Sequence, residues 1–188
     1  MSTTLDRLRF GDRFSVRSRS GSTYELTFLH RGQAESGLFV RLPDGRISRL
    51  TPGRLDLETL QVRGSDHEAL RPGDAVLVTT GSGRVRGTYR GRGQGDQLVV
   101  ELPLGVSIEY PLEDVQDACF LFKARDLKRG DQLFVTSKSE HEYCGTVRAL
   151  GPGDRVKIRP GSGGSVSIHL SQVDLSSLAV LVPISLAS

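Results

Sequence analysis

The residues in this sequence best suited to chemistry are arginines set two positions apart. Arg84, Arg86, Arg90 and Arg92 all fall on even positions of the run Arg84-Val85-Arg86-Gly87-Thr88-Tyr89-Arg90-Gly91-Arg92. Alternate side chains of a β-strand share a face, so Arg84, Arg86 and Arg90 line one side while Val85 and Tyr89 point to a core. Arg92 carries the phase into the following loop. Guanidinium groups about 6.5–7 Å apart match successive phosphates of a single nucleic-acid strand. The same row pairs with an acidic protein surface, and the plain alternative is a solvated strand face. Arg13, Arg17, Arg19 and Arg31 form a second set of binding candidates nearer the N-terminus.

Other chemistries find less support. His30, His67, His141 and His169 are scattered, and the nearest approach to ligand spacing is the lone His141-Glu142-Tyr143-Cys144. Tetrahedral zinc takes four ligands, usually as two pairs, so no metal site is expected. Cys144 has no neighbouring base to activate it as a nucleophile. Gly81-Ser82-Gly83 and Gly161-Ser162-Gly163-Gly164 lie between strand patterns, whereas a phosphate loop runs from a strand into a helix N-terminus. They are expected to be hairpin turns. No set of titratable residues recurs at catalytic spacing, so the expectation is a protein that is not an enzyme and needs no cofactor.

The elements that must position these residues come in three copies. Leu8-Arg9-Phe10-Gly11-Asp12 recurs as Leu70-Arg71-Pro72-Gly73-Asp74 and as Leu127-Lys128-Arg129-Gly130-Asp131. Each is followed by apolar residues at period two: Phe14 and Val16, Val76 and Val78, Leu133 and Val135. That period marks a half-buried strand, and the Gly-Asp pair supplies the turn that launches it. Second strands follow at Tyr24 to Phe28, Val85 to Tyr89 and Tyr143 to Val147. Gly87 and Gly145 sit at the middle of two of them, as sharp curvature requires. Third strands span Leu38 to Leu42, Leu98 to Leu102 and Arg155 to Arg159. Fourth strands span Arg46 to Leu50, Val106 to Tyr110 and Ser165 to Leu170. The triplets Leu55-Asp56-Leu57, Glu113-Asp114-Val115 and Val173-Asp174-Leu175 read as single 3₁₀ turns leading into fifth strands. Turn signals at intervals of about 8–12 residues mark small barrels or sandwiches.

The Gly-Asp launch, the curved second strand and the 3₁₀ turn before the last strand resemble the SH3-like barrel superfamily, which includes Tudor-like and Sm-like barrels. The resemblance covers almost the whole chain, three times over. It implies an all-β fold of three tandem five-stranded SH3-like barrels, over residues 1–65, 66–124 and 125–188, and a binding module. Core residues are expected at Val78, Val100 and Leu112 in the second copy and at Val135 and Ile158 in the third. The chain has no Trp, and its 11 Tyr and Phe are too few for an aromatic methyl-lysine cage in three domains.

Composition narrows the partners. The formal net charge is +3, with only four lysines, so the positive charge is nearly all arginine. Residues 1–65 carry 11 basic against 7 acidic residues, residues 66–124 carry 6 against 9, and residues 125–188 carry 8 against 6. The arginine row therefore belongs to the acidic copy, where a nucleic-acid module is more often basic throughout. That tilts the reading toward protein interaction or self-association, with nucleic-acid binding through the arginines as the alternative. No apolar run approaches the ~20 residues of a membrane span. Cys119 and Cys144 give no disulfide framework, which fits a cytoplasmic protein. Exposed strand edges invite pairing, so the copies are expected to pair edge to edge or to oligomerise.

Overall fold

A computed structural model describes residues 4–32, 37–65, 70–123, 126–184 and 186. Each copy opens on the same turn, built by the same atoms. The Asp12, Asp74 and Asp131 amides donate to the carbonyls of Arg9, Arg71 and Lys128 at 3.0, 3.0 and 3.1 Å. Their carboxylates accept in return from the amides of those same residues, at 2.8 Å each. The third turn position has φ of 84° at Gly11, 100° at Gly73 and 93° at Gly130, which glycine adopts without penalty. The glycine amide then donates to Phe28, Tyr89 or Val147 in the second strand at 2.8 Å, tying the turn to the sheet.

Five strands follow each turn. The first group comprises β1 (Asp12–Ser18), β2 (Thr23–Arg31), β3 (Leu38–Arg41), β4 (Ile47–Leu50) and β5 (Leu55–Ser65). The second comprises β6 (Ala75–Thr80), β7 (Gly83–Arg92), β8 (Gln97–Glu101), β9 (Ser107–Pro111) and β10 (Val115–Phe122). The third comprises β11 (Gln132–Ser137), β12 (Glu142–Gly151), β13 (Arg155–Arg159), β14 (Val166–His169) and β15 (Val173–Pro183). One-turn 3₁₀ segments precede the fifth strands at Pro52–Arg54, Leu112–Asp114 and Leu170–Gln172. In the first and third groups they lie upstream of where the triplets place them, and in the second the turn includes Glu113 and Asp114 of the triplet. Leu55, Val115 and Val173 are the residues that cap these turns and begin the strands, so two of the three triplets are already strand.

The protein is all-β, in two antiparallel sheets. The first sheet has five strands in the order β4-β3-β2-β1-β5, and the second has ten in the order β14-β13-β12-β11-β15-β10-β6-β7-β8-β9. Closed barrels were expected over 1–65, 66–124 and 125–188, and among the described residues no sheet closes. The physical reason lies in the edges. Among the described residues the fourth strand of each group has no ladder to its own fifth strand, and the fifth strands of the second and third groups pair with each other instead. Cys119, Phe120, Leu121 and Phe122 stand opposite Pro183, Val182, Leu181 and Val180. The edge-to-edge pairing expected of exposed strands is thus made inside the chain.

Two glycines let these strands bend. A Cβ on Gly87 would lie 2.4 Å from Val100 Cγ1 and 2.6 Å from the Glu101 carbonyl oxygen. One on Gly145 would lie 2.6 Å from the Arg159 carbonyl oxygen. The second strand of each group also carries one extra residue against the third: Leu29, Arg90 and Arg148 sit at matching bulges.

The cores follow the period-two pattern. Val78, Val100, Val135 and Ile158 are buried, and Leu112 is half-buried against the second core. The first group has its own core around Phe14, Val16, Leu38 and Val40, to which Leu5 and Leu8 of the N-terminal segment contribute. The second core reaches beyond its own group. It includes Leu29 and Phe39 of the first group and Val180, Val182 and Ile184 of β15 and its end. On the other face of the β10–β15 junction, Leu77, Cys119, Leu121, Phe134, Ala179 and Leu181 form a separate apolar cluster.

Candidate functional site

The arginine row on β7 is divided by the bulge. Val85 is opposite Val78 and Arg86 is opposite Leu77, so the alternation holds through Tyr89, which is opposite the buried Val100. Arg90 is the extra residue, and beyond it Arg92 is opposite the buried Leu98. Directly opposed residues share a face, so Arg92 has crossed to the face of Leu98 and Tyr89. Arg84 and Arg86 are brought together; Arg90 and Arg92 do not continue their line.

Each of these side chains has a different setting. Arg86 lies over the Phe134 ring, 5.9 Å from its centroid, and so reaches across to the third group. Its charge also helps hold the Asp174 carboxyl below the usual carboxylate range, behind the larger effect of hydrogen bonds from Ser176. Arg84 is exposed, and its charge is felt by both cysteines, whose thiols are nonetheless pushed up, chiefly by burial. Arg90 Nε donates to Glu101 Oε2 at 2.6 Å, and this bond lowers the Glu101 carboxyl while raising the guanidinium. Arg92 reaches Asp96 at 3.4 Å.

The first-group candidates are likewise spread out. Arg13 and Arg17 are exposed on the outer face of β1, and Arg19 lies in the β1–β2 turn. Arg31, at the end of β2, is ion-paired with Asp6.

The most buried charges belong to residues outside this candidate set. Arg41 on β3 donates from Nη1 and Nη2 to both carboxylate oxygens of Asp74, at 2.9 and 2.6 Å, and its guanidinium lies 5.4 Å from the Phe120 ring centroid. The two side chains are 2% and 11% exposed, so this bidentate pair is shielded from water. Arg49 on β4 donates to Asp131 at 3.0 Å, with side chains 11% and 1% exposed, and lies over Phe39. Both partners are launch-turn aspartates, one from each of the other groups. A signal for this lay in β3 itself. Leu38-Phe39-Val40-Arg41 is buried at every position, whereas Arg155-Val156-Lys157-Ile158-Arg159 alternates buried and exposed. A strand apolar at consecutive positions has something packed on both faces.

Two clefts border these joints. The larger, about 1000 Å³, lies where the three groups meet, with Ile47, Asp74, Phe122 and Leu175 in its wall. The smaller, about 410 Å³, lies on the first group beside the start of the second, and Arg13, Arg41, Arg63 and Arg71 line it with Glu25. Arg63 Nε donates to Ser15 Oγ at 3.3 Å, which lays its side chain across β1. Among the described residues no three His, Cys, Asp or Glu side chains come together as a metal site would need. Arg63 escaped the sequence reading because it sits near a junction between copies, and Arg71 because it lies inside the launch motif, whose repeat points to a turn and not to a binding side chain.

The fold and these sites define an antiparallel all-β protein whose strand groups are joined by a shared ladder and by buried arginine–aspartate pairs. Its sequence matches no protein-family model and gives no significant match to a curated protein.

Proposed function

We propose that the chain is a non-enzymatic scaffold: three SH3-like five-strand groups, locked together, that present loops and strand faces to a protein partner or to further copies of the chain. The SH3-like reading is supported by strand order. In every group the first strand lies between the second and the fifth, and a 3₁₀ turn leads into the fifth. A cytoplasmic, reducing setting is part of the proposal, and the free thiols of Cys119 and Cys144 are consistent with it.

The observation that carries the functional reading is the pairing of the arginines. Arg31, Arg41, Arg49, Arg90 and Arg92 all face protein carboxylates. A surface that tracks a phosphate backbone gains affinity by releasing the nucleic acid's counterions to its own free cations. Here three of the eight arginines singled out in the sequence, Arg31, Arg90 and Arg92, are engaged within the chain, which leaves the row on β7 broken. The test is molar mass by light scattering, measured beside titrations with single-stranded and duplex nucleic acid at increasing salt. The expected result is negligible nucleic-acid affinity at physiological salt and a mass that settles at a fixed multiple of 20.5 kDa, or at one chain where the partner is another protein. Micromolar, salt-sensitive nucleic-acid binding that Arg84→Gln with Arg86→Gln weakens would overturn it in favour of the nucleic-acid alternative.

A further inference from the structure

The smaller cleft carries the inference, which rests on the scaffold reading and names the chemistry of its partner: we infer that the cleft beside Arg13 and Arg63 binds an acidic, partly apolar segment of a partner protein. Arg13 on β1 and Arg63 on β5 are both exposed at its rim, and neither has an ion-pair partner among the described residues. Arg71 lies beside them, while Arg41 at the base is already held by Asp74. Even with Arg71 and Arg41 set aside, two guanidinium groups against the single carboxylate of Glu25 leave the opening positive. Planar guanidinium forks bind carboxylates in bidentate fashion, which rewards an acidic side chain placed between them.

The rest of the lining selects a peptide over a nucleic acid. Leu42 and Pro43 supply apolar wall at the edge of the cleft, and the lining aromatic, Phe14, is only 1% exposed. Sites for single-stranded nucleic acid combine cations with exposed aromatic rings on which bases stack, and this cleft offers no such ring among the described residues. Glu25 adds a carboxylate to the lining, which repels a phosphate backbone, whereas a peptide can place an apolar or hydrogen-bonding residue beside it. At about 410 Å³ the cleft admits a few side chains, which makes it a recognition pocket for a short segment.

The experiment is a fluorescence-anisotropy titration of the full chain with a labelled peptide alternating glutamate and leucine, and in parallel with a poly-dT strand. Arg13→Gln with Arg63→Gln should weaken peptide binding about tenfold or more, the loss expected of two charge-assisted contacts. Arg13→Lys with Arg63→Lys, which keeps the charge but not the fork, should lose less than the Gln pair, and an unchanged melting temperature of the Gln pair excludes misfolding as the cause. Peptide binding unchanged in the Gln pair would overturn the assignment of the cleft. Poly-dT binding more tightly through the same two arginines would overturn the choice of ligand and, with it, the protein-partner reading. Failure of both probes to bind a chain that still self-associates would overturn this inference alone and leave the scaffold reading standing.

Discussion

Replacing Arg41 with methionine tests the joint between the first and second groups at its most buried point. Arg41 and Asp74 share two hydrogen bonds at 2.9 and 2.6 Å, with side chains 2% and 11% exposed. Methionine keeps most of the apolar stem and removes the charge, so Asp74 is left buried with the Arg71 amide among its remaining donors. Breaking a buried pair by removing one partner costs about 3–5 kcal/mol, because the surviving charge has lost both water and its counterion. At this chain length each kcal/mol moves the melting temperature by about 2–4 °C, so the variant should melt roughly 6–20 °C lower. The exposed pair Arg46–Asp44, with side chains 76% and 49% exposed, serves as control, and Arg46→Met should leave the melting temperature close to unchanged. Urea denaturation of Arg41→Met, Asp74→Asn and the double variant closes a cycle. The amide oxygen introduced by Asp74→Asn can still accept from the Arg71 backbone amide, so the double variant should be more stable than the sum of its parts predicts by about 2 kcal/mol. A cost below about 1 kcal/mol for Arg41→Met, or strict additivity, would show that the pair does not clamp the groups.

Two further outcomes follow from local geometry. Gly145→Ala places a Cβ within 3.0 Å of backbone atoms of Arg159 and Pro160, which no rotamer change can relieve, and should cost about 1–3 kcal/mol. Gly151→Ala, where the nearest atom is at 3.5 Å, should be close to neutral in the same denaturation assay. His30 is half-buried, and desolvation holds its imidazole below its ordinary value of about 6.5. The unfolded chain therefore takes up the proton first. Stability is complete above about pH 6.5 and declines as pH falls from there toward the lowered folded value, then levels off with respect to this group. His30→Gln should flatten that part of the stability–pH curve, and an unchanged slope would contradict the assignment.

The features legible in the sequence are those fixed by neighbours in the chain. Gly11-Asp12, Gly73-Asp74 and Gly130-Asp131 each satisfy a turn's geometry within about four residues, so the launch of every group could be read directly. Gly87 and Gly145 advertised the close strand approach they permit. The bulge at Arg90 was not readable, because a one-residue excess is defined only against the partner strand β8. That single residue moved Arg92 off the line of Arg84 and Arg86. Closure was misjudged for a related reason. Ala118 to Phe122 and Leu178 to Val182 are apolar on both faces and could seal a barrel or join each other, and period two is blind to which edge they choose. The Arg41 and Arg49 joints depend on contacts across tens of residues, and their only local trace is the unbroken apolar run of β3.

The central claim is that the shared β10–β15 ladder and the two buried pairs make the strand groups one rigid body. Small-angle X-ray scattering on the monomeric fraction from an in-line sizing column tests it directly. A single compact body of 188 residues should give a radius of gyration near about 16–19 Å and a bell-shaped Kratky curve. A radius above about 22 Å, with a profile fitted only by groups moving freely about flexible linkers, would contradict it.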